Sequence, residues 1–488
     1  MSDLFAARSQ MAMSLAFHIV FAIVGIGMPL LMVIAEGMWL RTKDEVYLVL
    51  AKRWAKGTAI MFAVGAVSGT VLSFELGLLW PKFMEYAGPI IGMPFSLEGF
   101  AFFLEAIFLG IYLYGWNRVS PKTHWWAGVI VAISGTLSGV FVVTANAWMN
   151  SPAGFKIVNG KVTEIDPIGA MLNPASFSQV LHMTLAAFVS VGFAVAAIHA
   201  WMLLQDKKNA FHKRAFAIAL SVGALTAVLQ LVSGDISAKM IAKNQPEKFA
   251  AMEGHWKTEK GAPLRIFGWP DEKTETTKYS IDIPYMMSIL AFSDPNAEVK
   301  GLKDFPKDER PPTAVVHIAF QIMVFCGMFM LLVGALGAWF WWRRKEIPEQ
   351  PWFLKMVMFA GPMGVIAVQA GWVVTEVGRQ PWIIYRIMKT KDAVTPMPGL
   401  IVPFLSFTLL YLFLGVVVVA LLKRQVFMSP KYLVTPDGTH IPVSPSVDDL
   451  DAHAERLAEE AKRETAESEE EPTQASKEDA DEEDEDDA

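Results

Sequence analysis

Long apolar runs alternate with short polar segments along most of this chain, and charged residues gather in the breaks between them. A helix that crosses a membrane needs about 20 mostly apolar residues. Nine runs reach that length: 14–35, 57–79, 95–116, 125–148, 177–204, 214–233, 312–342, 354–377 and 397–422. The pattern predicts an all-α membrane protein with about nine transmembrane helices. Two stretches stand apart. Residues 234–311 carry Pro, Lys and Glu throughout and are expected to form one long extracytoplasmic loop. A structureless connection of that length is uncommon unless it is functional. Residues 428–488 end in a dense acidic run, and blocks of like charge repel. This second stretch is expected to be a disordered cytoplasmic tail, leaving residues 1–427 as the membrane domain.

Composition supports the membrane reading. Of the 488 residues, 53% are hydrophobic and only 19% charged, against about 25% charged in soluble domains. The net charge of −7 misleads, because residues 448–488 hold 20 of the 49 acidic side chains and four of the 42 basic ones. The remainder is basic. Its Lys and Arg orient the bundle, since they favour cytoplasmic loops. Arg41, Lys43, Lys52, Arg53 and Lys56 follow the first run, Lys207, Lys208, Lys213 and Arg214 the fifth, and Arg343, Arg344 and Lys345 the seventh. This predicts an N-terminus outside and a C-terminus in the cytoplasm. Arg379, Arg386, Lys389 and Lys391 break the rule, being placed outside. The first run is preceded by no Lys/Arg-rich start with a small-residue cleavage site, so it is expected to stay as a helix. A single cysteine, Cys326, excludes an intrachain disulfide and a cysteine-based metal site.

Ionisable side chains cost several kcal/mol within hydrocarbon, so each one there is a functional candidate. The candidates singled out inside the predicted spans are His18, Glu98, Glu105, His182, His199, His317 and Glu376, with Met323 as a soft thioether. All except His199 fall in the outer half of the membrane by the orientation above, Glu105 and Met323 roughly 15 Å below the outer helix ends. A buried His often does no more than hydrogen-bond a neighbouring helix, and a Met often only fills space. Together, His and Met also form a known axial pair for low-spin haem. Glu98 and Glu105 are seven residues apart and project from one helical face, as a proton relay or a cofactor contact would require. Glu376 and His18 have no evident ion-pair partner in their own helices.

These residues lie in recognisable motifs. They are Gly378-Arg379-Gln380-Pro381-Trp382 preceded by Gly371-Trp372 and Glu376; Ser96-Leu97-Glu98-Gly99-Phe100 with Phe103-Leu104-Glu105; Ala145-Asn146-Ala147-Trp148-Met149; and Lys248-Phe249-Ala250-Ala251-Met252-Glu253. In this order, from Phe5 to about Phe427, the chain resembles subunit I of cytochrome bd quinol oxidases, in their short-loop form. The resemblance implies that His182 and Met323 bind a low-spin haem b. It implies that His18 and Glu376 bind two high-spin haems, one b and one d, or a further haem b in place of d. Arg379 and Trp372 are counted with the haem-contacting positions. Glu98, Glu105 and Ser138 match positions of haem contact and proton delivery, Lys248 and Glu253 match the quinol loop, and Asp235 matches an acidic position near it. There are departures: Gln321 stands where familiar members carry Arg, Gln369 where some carry an acid, and the acidic tail has no counterpart.

The implied activity is oxidation of quinol at the outer face and reduction of O2 to water, electrogenic without proton pumping. Implied partners are a second membrane subunit (subunit II), a small single-helix subunit and membrane lipid, in a bacterial inner membrane; no nucleic-acid partner is expected. Lys248 and Glu253 are expected to serve quinol without touching haem binding. Two other readings stay open at this point. One is a haem b quinol dehydrogenase or electron carrier that does not reduce oxygen, and the other is a transporter coupled through its buried carboxylates.

Overall fold

The computed structural model describes residues 2–159, 161–426, 432–434 and 440–442. Fourteen α-helices appear in it, in chain order: α1 (Asp3–Thr42), α2 (Glu45–Leu79), α3 (Pro81–Tyr114), α4 (Pro121–Asn150), α5 (Pro167–Met171), α6 (Ser176–Gln205) and α7 (Ala210–Asn244). There follow α8 (Pro246–Met252), α9 (Met286–Phe292), α10 (Thr313–Arg344), α11 (Pro351–Ala360), α12 (Met363–Val377), α13 (Thr390–Ala393) and α14 (Ile401–Val426). Among the described residues nine helices, α11 and α12 taken together, are long and apolar enough to cross a membrane. They correspond one for one to the nine predicted runs. Most are longer than the runs, because a helix can continue past the hydrocarbon once its flanking side chains are solvated. Thus α1 starts at Asp3 rather than 14, and α7 ends at Asn244 rather than 233. The eighth run is interrupted between Ala360 and Met363 by Gly361-Pro362, since proline has no N–H to continue the backbone ladder.

Consecutive spans run in opposite directions, and contacts between their ends define two faces. At one face the backbone N–H groups of Gly399 and Leu400 donate to Asp3, Thr395 N–H donates to Leu79 O, and Tyr385 N–H to Met149 O. At the other, Arg214 pairs with Asp44 at 2.7 Å and Lys213 with Glu349 at 2.8 Å. Asp44 also caps α2 through Val46 N–H.

Small residues set the helix spacing, as expected where lipid supplies no hydrophobic drive between helices. A Cβ on Gly192 would lie 2.7 Å from the Cα of Gly223, so α6 and α7 touch backbone to backbone. Gly364 meets the Ser190 backbone in the same way between α12 and α6, and Gly27 receives the Val191 side chain between α1 and α6.

The long loop is not structureless. It opens with α8 and carries three two-stranded antiparallel pairs, 259–260 with 298–299, 264–266 with 281–283 and 269–271 with 276–278, together with α9. Buried Phe249, Ala262, Met287, Ala291 and Val299 give it a small core of its own. Within the segment expected to be disordered, residues 432–434 and 440–442 pair as an antiparallel hairpin; the acidic run of the tail lies outside the described residues.

Tight glycine contacts make a direct prediction. Gly192→Val forces two helix backbones apart and should lower stability by about 1–3 kcal/mol or more. Gly110→Val, where a Cβ meets nothing within 4 Å, should be close to neutral. Thermal unfolding of the two variants in detergent checks this; equal melting temperatures would show that the α6–α7 contact is not what limits packing.

Candidate haem and quinol site

The last turn of α12 delivers Glu376 to the loop-bearing face of the bundle. Its Oε1 accepts from Asn146 Nδ2 of α4 at 2.5 Å, and its Oε2 pairs with Arg379 Nη2, also at 2.5 Å. Glu376 has no ion-pair partner within α12 itself; the turn beyond the helix folds Arg379 back onto it. Arg379 is 3% exposed, and its Nε and Nη1 are buried without a partner. From Asn146 the network continues. Asn150, one turn further along α4, donates to the side-chain and backbone oxygens of Asn146, at 3.2 and 3.0 Å, and accepts from Lys248 Nζ at 2.5 Å. Lys248 lies across Gly378, where a Cβ would come within 3.0 Å of its Cγ.

Lys248 is 2% exposed. Burial, with Arg379 nearby, pushes its ammonium down to about 7, while Glu376 and Glu247 oppose the shift. Loop, α4 and α12 are thus one hydrogen-bonded unit, in which Lys248 reaches Glu376 through Asn150 and Asn146; the separate sequence motifs do not reveal it.

His182 of α6 and Met323 of α10 line one cavity, whose wall also includes Gln230, Gly371, Trp372 and Lys248. Ser233 Oγ lies 3.0 Å from His182 Nδ1, fixing the ring, and the Gln230 amide nitrogen is 3.1 Å from Nε2. The Met323 sulfur rests on Gly371, where a Cβ would approach it to 3.1 Å. His18 sits elsewhere, between α1 and α2, with Nδ1 2.9 Å from Ser68 Oγ and its ring over Gly69. Gln369 of α12 donates to Ala16 O at 2.6 Å, tying the helix of Glu376 to the helix of His18. Trp372 takes its place in the cavity wall, and Asp235 makes an exposed pair with Lys239 on α7.

The remaining candidates separate. Glu105 is buried against Gly135, and Glu98 accepts from Ser138 Oγ at 3.3 Å, so α3 and α4 face each other through these groups. His317 is structural in this fold: its ring nitrogens face the carbonyls of Met252 and Phe267, at 2.8 and 3.1 Å, and so hold the loop on α10. Gln321 does the same through Arg265 O and Phe267 N–H. His199 pairs with His212, Nδ1 to Nδ1 at 2.9 Å. Glu253, 5% exposed, lies near Arg265, and its Oε2 has no partner. Desolvation pushes its carboxyl up to about 7, against the pull of Arg265. Sequence reasoning missed Asn150, Gln230 and Ser233, since neutral polar residues stand out only when their partners are known.

This donor set fits the groups that the sequence implies. An imidazole and a thioether on one cavity suit low-spin haem iron. The unpartnered edge of Arg379 offers charge-assisted hydrogen bonds of the kind a haem propionate accepts. Gly371 and Gly69 keep clear the space that a side chain would fill.

The comparisons agree with the geometry. The profile of the family described as cytochrome bd terminal oxidase subunit I matches residues 6–430. A Bacillus subtilis protein assigned as a cytochrome bd menaquinol oxidase subunit I is 40% identical over 428 residues, covering 86% of this chain and 96% of its own. Subunit 1 of a cytochrome bd ubiquinol oxidase from the same organism is 33% identical, over 91% and 97% of the two chains. The bd oxidase of Geobacillus thermodenitrificans has a solved structure that superposes with a TM-score of 0.83 at 39% identity, covering 88% of this chain and 99% of that one. Each match runs nearly end to end, and the chain belongs to the cytochrome bd terminal oxidase subunit I family.

Proposed function

We propose that this chain is the haem-bearing subunit of a terminal quinol oxidase, with residues 1–427 as its haem-binding domain. His182 and Met323 would hold a low-spin haem b. His18 and Glu376 would hold two high-spin haems, one b and one d, or a second b in place of d. The observation that carries the reading is the shared cavity of His182 and Met323, whose wall includes Lys248 and Asn146 of the Lys248–Asn150–Asn146–Glu376–Arg379 network. When bound, the haems supply electron transfer and oxygen reduction. The protein supplies protons, charge and position.

Glu253 is placed to take a proton from quinol, because a carboxyl near 7 is matched to its task at neutral pH. Lys248 and Arg379 hold positive charge at the network and balance the carboxylates and propionates there. The basic residues at the face of Asp44 and Arg214 favour that face as cytoplasmic, which puts the loop outside. Quinol protons then leave outside while protons for water enter from inside through Glu105, Glu98 and Ser138. The enzyme generates potential in this way without pumping. A second membrane subunit, a single-helix subunit and lipid would cover the apolar outer surface.

Optical difference spectra test the ligands. His182→Ala and Met323→Leu should each remove the low-spin band while the protein still inserts, and His18→Ala and Glu376→Ala should each remove a high-spin band and abolish oxygen uptake. A low-spin band that survives in both of the first two variants would refute that assignment.

The two loop residues should part company. Glu253→Gln should lower quinol-driven turnover on the order of 100-fold and leave every haem band and the rate with an artificial donor intact. Lys248→Met should perturb the high-spin bands as well, since it removes the hydrogen-bond donor to Asn150 and one of the two cations of the Glu376 network. Lys248→Met spectra identical to the parent would disconnect the loop from the haem ligands.

A pH profile gives the sign. Glu253 is the working base only when deprotonated, so the quinol-driven rate should rise as pH increases through about 7. Glu253→Gln should flatten that limb; a limb that persists belongs to another group.

A further inference from the structure

The relay from Glu98 to Glu105 stops well short of the opposite face of the bundle, yet α3 carries a third polar residue at the same spacing. Tyr112 follows Glu105 by seven residues, as Glu105 follows Glu98, so all three share one face with about 10 Å between successive members. Opposite them α4 keeps the space clear. Ser138 meets Glu98, Gly135 meets Glu105, and a Cβ on Gly128 would come within 2.7 Å of the Tyr112 ring.

Beside Tyr112 lies a buried pair that the mechanism above does not use. His124 Nδ1 of α4 is 2.7 Å from Glu36 Oε1 of α1, and His124 Nε2 is 2.9 Å from Tyr112 O. Both side chains are at most 2% exposed. A carbonyl can only accept, so Nε2 carries a hydrogen. Nδ1 and the carboxyl then hold one further proton between them, either as a carboxylic acid donating to imidazole or as imidazolium donating to carboxylate. With no proton there, two acceptors would face each other across 2.7 Å. The pair is therefore a store for one transferable proton. Two polar atoms of this cluster, Glu36 Oε2 and the Tyr112 hydroxyl, are buried without a partner.

The His124 ring lies between Tyr112 and Trp116, with centroids at 4.4 and 3.9 Å, and Lys52 Nζ of α2 sits 5.3 Å above the Trp116 ring. Glu36 of α1 and Tyr112 of α3 face His124, and Lys52 of α2 stands beyond Trp116.

We propose that Glu36 and His124, with Tyr112, form the cytoplasmic proton-loading station for oxygen reduction. A proton arriving from the cytoplasmic face joins the pair at His124, and one leaves from the Glu36 side past Tyr112 to Glu105. Charge and protons balance at each transfer, and no electron moves. The inference rests on reading Glu105 and Glu98 as proton carriers and the loop face as outer. These three act on proton supply and touch no reacting atom.

The test uses the whole oxidase complex in liposomes, with quinol as donor. Glu36→Gln keeps a hydrogen bond to His124 and holds no transferable proton. Turnover should fall on the order of 100-fold, haem bands should remain, the solvent deuterium isotope effect should rise, and membrane potential should build correspondingly more slowly. Glu36→Asp restores a carboxyl and should recover part of the rate. Glu105→Gln serves as the comparison. If Glu105→Gln slows turnover and Glu36→Gln and Glu36→Asp run at the parent rate with an unchanged isotope effect, protons enter elsewhere and the station is overturned. Loss of haem in Glu36→Gln, with Glu36→Asp normal in rate and isotope effect, would overturn it equally, as a purely structural pair. A Glu105→Gln enzyme at the parent rate would instead remove the carrier reading beneath it.

Discussion

A lysine ammonium removed from water has to be satisfied by the protein that buries it, and Lys248 imposes that requirement on three separate segments. Asn150 of α4 accepts a hydrogen bond from it, Asn146 links Asn150 to Glu376, and Arg379 returns from the turn after α12 to the other oxygen of that carboxylate. Removing any member leaves a buried polar group without its partner, which costs more than the lost bond itself. The loop is consequently attached to the end of the ligand helix by chemistry rather than by apolar packing alone. Gly378 is part of this arrangement, since a Cβ there would press on the lysine stem.

The same network separates two residues of the loop. Lys248 lines the cavity of His182 and Met323, whereas Glu253 lies near Arg265, next to a turn that Gly254 makes at φ +59°. The two side chains are thereby held close in sequence and in different surroundings. His317 and Gln321 keep them so, by fastening the loop backbone to α10.

Across the bundle, small residues and buried polar residues share the work. Gly192 with Gly223, and Gly364 with Ser190, bring backbones together, and between α3 and α4 Gly128 and Gly135 let Tyr112 and Glu105 pack closely. Titratable groups enclosed in this way interact strongly, because the surrounding dielectric is low. The buried Glu36–His124 pair and the Glu98–Glu105 pair are both products of that close packing.

The nine spans were readable from sequence because 20 apolar residues in a row have one stable setting, a helix across lipid. His18, His182, Met323 and Glu376 stood out as candidates too, since a charged or ligating side chain among such residues is conspicuous, and their motifs resembled a known family. The break at Gly361-Pro362 was not, because the apolar run continues across it unbroken. Nor were the order in the 234–311 loop, the bond between Lys248 and Asn150, or the Glu36–His124 pair. Those depend on which residues meet across helices, and hydropathy along a chain carries no record of that. Sequence by itself determined how often this protein crosses the membrane and which chemical groups it carries there. Tertiary structure alone decided which of those groups share a proton or a charge, because hydrogen bonds act over about 3 Å and only folding brings distant segments that close.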